Sequence, residues 1–426
     1  MNQNVGTIPS WGSRLAGVEG LRAAAAVAVL AYHVGIMASD QVHLGPIGQV
    51  FLPLLGQGLP LFFVLSGFLL FRPFAISIVR KGRFPSVRRY AINRVLRIYP
   101  AYLVIFAVTA LVTGSVYIKG STHGFGPDNV GRLTDPFKFL ANALLVQMFI
   151  PQYVMSGLPV AWSLTAEITF YVMVPLTALL SAWLVKRGAN VAMALAVVPA
   201  GMIIIGLGVT TWGHNAASHL DYSGRVDFAF GQTASAVLLR SFLGQADLFG
   251  YGIAAALVVV FLNERGVQRV SAWSKVALFV GGVAVFWAGT AGTMSYLSNL
   301  AGLASALFLL AVVLPSSRSG GANALALFLE WLPIRFTGTI SYSIYLWHLP
   351  VIFWLMSHGL TVGDSALAMP FNVVLVLGIV LPLSALTYYA VERPAMKERN
   401  EQRVYPILRT RSRWPAQRCR RSARGE

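Results

Sequence analysis

Apolar runs long enough to cross a membrane recur along this chain, and they leave few folds open to it. A bilayer core of about 30 Å takes roughly 20 helical residues. Candidate spans of that order occur at residues 21–38, 50–71, 98–113, 161–185, 191–211, 238–262, 276–290, 297–314, 337–356 and 371–390. In lipid every backbone N–H and C=O needs an internal partner, which restricts spanning elements to helices and closed barrels. Barrel strands would read as segments of about ten residues with alternating polarity, whereas these runs are continuously apolar. The expected fold class is therefore all-α, a polytopic integral membrane protein with about ten transmembrane helices. A further stretch, 137–150, is too short to span and stops at Pro151, so an interfacial or re-entrant helix is expected there. The first run resembles a signal peptide in position, but Arg22 at its start and its place in a motif described below argue that it stays.

Charge orients this arrangement. Only 11% of residues are charged and 56% are hydrophobic, with a mean hydropathy of +0.66, whereas soluble domains carry about 25% charged residues. A net charge of +18 would point to nucleic acid in a soluble protein. Here the basic residues sit beside apolar spans, which fits membrane orientation and anionic headgroups, so membrane lipids rather than nucleic acid are expected as partners. With the N-terminus inside, just Lys119, Arg132, Lys138, Arg225 and Arg240 of the 33 lysines and arginines fall outside. Both termini are thus expected in the cytoplasm. Residues 1–394 read as one membrane domain and 395–426 as a basic, disordered cytoplasmic tail. A lone cysteine, Cys419, excludes an intramolecular disulfide and a cysteine metal cluster. The absence of an internal repeat disfavours inverted-repeat transporters.

Ionisable residues at membrane depth are costly and mark functional candidates. Arg22 and His33 lie eleven residues apart in the first run, about 20° past three helical turns, so they share a face and are separated by about 16 Å along the axis. Snorkelling of Arg22 and a helix-packing role for His33 are the plainer readings of each alone. Arg94 and Arg97 share a face at the entrance to the third run. They could clamp phosphates of a soluble donor or simply anchor the helix. Glu167, in Trp162-Ser-Leu-Thr-Ala-Glu167, opens the fourth run. A carboxylate there either caps the helix or meets an interior partner, for which His33 is the expected candidate. Ser66 suits close helix packing as well as nucleophilic chemistry, and His348 suits an aromatic belt as well as a cavity wall. His214, His219, Asp221 and Asp227 are metal-ligand types without a metal-site spacing, so a solvated loop and no metal are expected.

Five motifs in order resemble the membrane acyltransferase-3 superfamily: Gly20-Leu21-Arg22 with ten residues to His33, Phe62-Phe-Val-Leu-Ser66-Gly-Phe68, Arg94-Val-Leu-Arg97-Ile-Tyr-Pro100, Trp162-Ser-Leu-Thr-Ala-Glu167, and Ser341-Tyr-Ser-Ile-Tyr-Leu-Trp-His348. They cover residues 17–394. The resemblance implies a bacterial cytoplasmic-membrane enzyme that O-acylates surface glycans, periplasmic glucans, glycolipids or macrolides. It implies Arg22, His33 and Glu167 as catalytic residues and Arg94 and Arg97 as contacts to acyl-CoA, with acetyl-CoA the expected donor and no tightly bound cofactor. Ser66, Trp162 and His348 are site-lining candidates. The family often has two adjacent acidic residues where this chain has Ala166-Glu167, so a single carboxylate is assigned. Some members append an extracytoplasmic domain; a basic tail stands in that place here, so transfer is expected from the membrane domain alone or with a partner. Neutral imidazole suits removal of a hydroxyl proton as attack begins, and a carboxylate could fix its tautomer. A direct route and a covalent acyl-His33 route both fit. Buried Arg, His and Glu among ten spans would equally suit a proton-coupled exporter of a polar or glycosylated solute.

Overall fold

The structure, a computed structural model, describes residues 15–39, 42, 45–126, 128–267, 269–291, 296–316 and 324–396. Eight apolar helices among these residues are long enough to cross a bilayer. Two further segments lie on the remaining expected runs, and the first of them makes a ninth span if counted as one. One is a pair bent by 72°, α14 (Leu332–Thr339) and α15 (Ser341–Ser357); the other is α12 (Leu297–Val313), at 17 residues near the short end of the spanning range. The protein is thus an all-α, multi-pass membrane protein. The outward faces are apolar, as lipid requires: Trp273 is 82%, Ile204 71% and Val374 69% exposed. Polar residues point inward instead.

The remaining elements run in chain order: α1 (Val18–His33), α2 (Pro46–Leu55), α3 (Gly58–Val79), α4 (Val87–Ala107), α5 (Pro136–Ala143), α6 (Trp162–Lys186), α7 (Val191–Ala216), α8 (Tyr222–Phe230), α9 (Ala234–Arg240), α10 (Ala246–Glu264), α11 (Ala272–Ala291), α13 (Ala324–Leu329) and α16 (Met369–Thr387). Two-residue strands Val116–Tyr117 and Val130–Gly131 pair antiparallel in the long connection after α4. Among the described residues four apolar clusters form, and the two largest flank the centre of the bundle. One gathers α1, α4, α15 and α16 around Leu30, Tyr102, Ile344 and Val380; the other gathers α3, α6, α7 and α10 around Phe71, Phe170, Leu195 and Phe249.

Three expectations are corrected. The third helix starts at Val87, about three turns before residue 98, capped by the Ser86 side chain accepting from the Arg89 N–H. The basic segment 88–97 is therefore helix, and its run of arginines lowers the local hydropathy so that hydropathy alone truncates the helix. The sixth span begins at Leu243. Residues 238–240 belong to α9, separated from α10 by a turn in which Gly244 fits closely under Leu239. The segment 137–150 becomes the short α5, capped by Asp135, followed by 3₁₀ turns with Phe137 and Leu140 exposed. Of the expected tail, only 395–396 lie among the described residues, and Cys419 lies outside them.

Candidate active site

The seam between these two clusters holds a cavity of about 130 Å³, and Arg22, Arg94, Arg97, Ser66 and Glu167 all line it. Each arrives from a different part of the sequence for a local reason. Arg22 stands on the second turn of α1, 3.9 Å from Glu19. Arg94 and Arg97 occupy one face of α4. Arg97 reaches Glu392 at 3.8 Å and lies over the Tyr342 ring at 6.0 Å. Glu392 is itself held by the Ser343 hydroxyl at 2.6 Å, on a π-helical turn (Tyr388–Glu392) that ends α16. Arg94 lies over the rings of Tyr90 at 5.8 Å and Tyr171 at 5.7 Å, and its Nε is buried without a hydrogen-bond partner. Of the two cavity-lining α4 arginines, Arg94 is the one whose Nε is buried without a partner.

Glu167 is the sixth residue of α6, beyond the first turn, so helix capping does not account for it. The expected partner was His33; the structure pairs it with Ser66, whose Oγ donates to Oε1 at 2.7 Å. The neighbour of Ser66 explains the pairing. A side chain at Gly67 would overlap the Phe249 carbonyl, and one at Gly252 would overlap that of Val64. The two glycines let α3 and α10 meet backbone to backbone, which turns Ser66, one residue or 100° around the helix, toward α6. Gly67 therefore carries the packing that the motif also permitted for Ser66.

His33 does not line this cavity. It is the last residue of α1, immediately before a π-helical turn at Val34–Ala38, a feature that often marks functional positions. Its Nδ1 lies 2.9 Å from the Val29 carbonyl and 3.1 Å from His348 Nε2. A carbonyl only accepts, so His33 Nδ1 carries the proton and His348 Nε2 also accepts from it. His348 Nδ1 then donates to the Ile344 carbonyl at 3.3 Å. Both rings are Nδ1–H tautomers, and His33 Nε2 keeps a free lone pair. His348 is 1% exposed, in the middle of α15, which removes the aromatic-belt reading.

Tyr345 joins the two halves. It lines the cavity, its ring is 5.7 Å from that of His348, and its hydroxyl lies 2.8 Å from Ser163 Oγ and donates to the Val160 carbonyl. Sequence reasoning missed Tyr345 as a site residue, although it stands three positions before His348 and so on the same helical face. Ser163 was equally in view beside Trp162. Glu392 carried no signal, since its value lies in a contact 295 positions from Arg97. Trp162 stacks edge-on against Phe63 and lies under Arg240 at 5.3 Å, next to the cavity wall rather than in it.

Among the described residues no three His, Cys, Asp or Glu side chains gather at metal-binding distance. Asp221 caps α8, and its bonds from the Gly224 N–H and the Ser223 hydroxyl hold its carboxyl below the usual carboxylate range.

This arrangement, three arginines beside a serine–carboxylate pair and an oriented imidazole, suits group transfer to a hydroxyl. The acyltransferase domain family known as acyltransferase-3 matches residues 15–389. The chain is 25% identical over 343 residues to peptidoglycan O-acetyltransferase OatA of Listeria monocytogenes, covering 79% of this chain and 49% of the relative. It is 23% identical over 394 residues to YrhL of Bacillus subtilis, provisionally named a peptidoglycan O-acetyltransferase, covering 89% and 54%. It is 27% identical over 353 residues to nodulation protein 10 of Rhizobium leguminosarum, covering 80% and 82%. The chain thus spans about half the length of the first two relatives. No solved structure matches it. The match across nearly the whole chain, with Arg22, His33, Arg94, Arg97 and Glu167 all inside it, places this protein in the acyltransferase-3 family.

Proposed function

We propose that this chain is an O-acyltransferase of the bacterial cytoplasmic membrane that moves an acyl group, acetyl as the expected case, from acyl-CoA to a hydroxyl of a glycan, glycolipid or macrolide acceptor. The observation that carries the reading is the shared cavity of Arg22, Arg94 and Arg97, lined also by Tyr345, whose ring stands 5.7 Å from that of His348, the partner of His33. Guanidiniums match phosphate oxygens bidentately, so the arginine end would receive the CoA phosphates. With the basic loops inside, that end faces the cytoplasm, and both termini lie there too. The name of OatA supports a carbohydrate acceptor.

In this reading His33 Nε2 takes the acceptor hydroxyl proton while the oxygen attacks the thioester carbonyl. The C–S bond then breaks and CoA leaves as thiolate, to be protonated in turn. The Nδ1–H bonds to Val29 and His348 hold the tautomer that leaves Nε2 basic. Ser66 and Glu167 act on the donor side, where the hydroxyl and carboxylate face the incoming thioester.

The test is CoA release from labelled acetyl-CoA by the purified protein in lipid, with an acceptor pool from the bacterial envelope. Wild type releases CoA and labels the acceptor; His33→Ala does neither while keeping its expression and thermal stability. Accumulation or export of a solute without CoA release would replace this reading with the transporter.

A further inference from the structure

A second cavity, of about 290 Å³, opens at the His33 end of the bundle between α7, α8, α9, α10 and α12, and Arg225, Arg240, Asp247 and Asn299 line it. Arg240 is built into place. Its Nε donates to the Ala229 carbonyl at 3.0 Å, and its guanidinium lies 3.7 Å over the Phe230 ring and 5.3 Å over that of Trp162. Two aromatic faces and a carbonyl fix the fork, yet among the described residues no carboxylate lies within ion-pair distance of Arg240 or of Arg225. Asp221, four residues before Arg225 and so on its face of α8, feels the Arg225 charge without reaching ion-pair distance and accepts from the Gly224 N–H and the Ser223 hydroxyl. Burial pulls the Arg240 guanidinium down to about 10, still charged at neutral pH, so among the described residues it is a cation without a carboxylate counterion.

The one carboxylate in the wall does not neutralise it. Asp247 is 0% exposed; its Oδ2 accepts from Asn299 Nδ2 at 2.8 Å, and its Oδ1 is buried without a hydrogen-bond partner, on the side where a Cβ at Gly206 would meet it. Because a carboxylate only accepts, the Asn299 amide nitrogen must face Asp247 and Thr210. That leaves the Asn299 carbonyl oxygen to accept from a ligand hydroxyl.

We infer that this cavity is the acceptor subsite and that it selects an acceptor carrying an anionic group, a carboxylate or phosphate held by Arg240 with Arg225, while Asn299 receives a hydroxyl. Arg240 lies close enough to Tyr32 to act on it electrostatically, and the Tyr32 ring packs edge-on against His33 at 5.1 Å, although neither ring lines this cavity. The inference rests on the acceptor reaching His33 from this end, and it concerns binding, so it can be tested apart from transfer.

The experiment is calorimetry on the full chain in nanodiscs with three probes: a glucuronic-acid disaccharide, its methyl ester, and the corresponding disaccharide phosphate. The carboxylate, the phosphate or both should bind about tenfold or more tighter than the ester, since charge-assisted bidentate bonds are roughly twice as strong as neutral ones; which anion gains identifies the source. Arg240→Gln should reduce that preference to the ester level, and Arg240→Lys should keep part of it by retaining charge without the fork. Should Arg240→Gln fail to fold, Arg225→Gln at an exposed position should still lower anion binding several-fold. Equal affinity for all three probes, or a preference that survives both glutamine variants, overturns the inference. Anion-selective binding without CoA release from acetyl-CoA would overturn the transferase reading and leave the subsite standing.

Discussion

Removing the Ser66 hydroxyl tests whether the Ser66–Glu167 contact serves the reaction or only the packing of α3 on α6. The bond is 2.7 Å from Oγ to Oε1, short and charge-assisted, a class that contributes about 1.5–3 kcal/mol. If it is made while the acyl group transfers, its coupling energy converts to about 10- to 150-fold in kcat/KM. The design is a double-mutant cycle of Ser66→Ala, Glu167→Gln and the pair, read as CoA release in proteoliposomes, with thermal unfolding measured alongside. Each single variant should lose at least tenfold in kcat/KM, and the double variant little more than the worse single, because each change removes the same contact. Ser66→Thr keeps a hydroxyl and should retain more activity than Ser66→Ala. Losses that multiply in the double variant would show that the two side chains act separately. A Ser66→Ala enzyme within twofold of wild type would show that the contact plays no part in transfer.

Further outcomes follow from the same geometry. His348→Gln keeps a second acceptor for the His33 Nδ1–H, so its CoA release should exceed that of His348→Ala several-fold, while ¹⁵N spectra should show the His33 Nδ1–H tautomer in both variants because the Val29 carbonyl still accepts from it. Arg94→Ala should raise the KM for acetyl-CoA about tenfold or more with a smaller change in kcat, whereas Arg97→Ala should raise it less, because Arg97 is already engaged by Glu392 and Tyr342. Gly252→Val would drive a side chain into the Val64 carbonyl. It should destabilise the bundle by about 1–3 kcal/mol, visible in unfolding, and lower activity by moving Ser66 away from Glu167.

Much of this protein was legible in its sequence. The spans were, since a run of apolar residues near 20 long has few other uses. The motif residues Arg22, Arg94, Arg97, Ser66 and Glu167 were recognisable, and the structure gathers them in one cavity. Hydropathy misjudged the start of α4, because arginine stems can lie in a helix that the charge average rejects, and it merged α9 with α10 across a turn set by Gly244. What only the tertiary structure decided is which side chains meet. Glu167 faces Ser66 rather than His33, and His33 faces His348, 315 positions away. Spacing along one helix fixes the angles between its own residues. The rotation of one helix against another is fixed by where backbones can touch, here at Gly67 and Gly252, and by which polar groups then have no partner except each other.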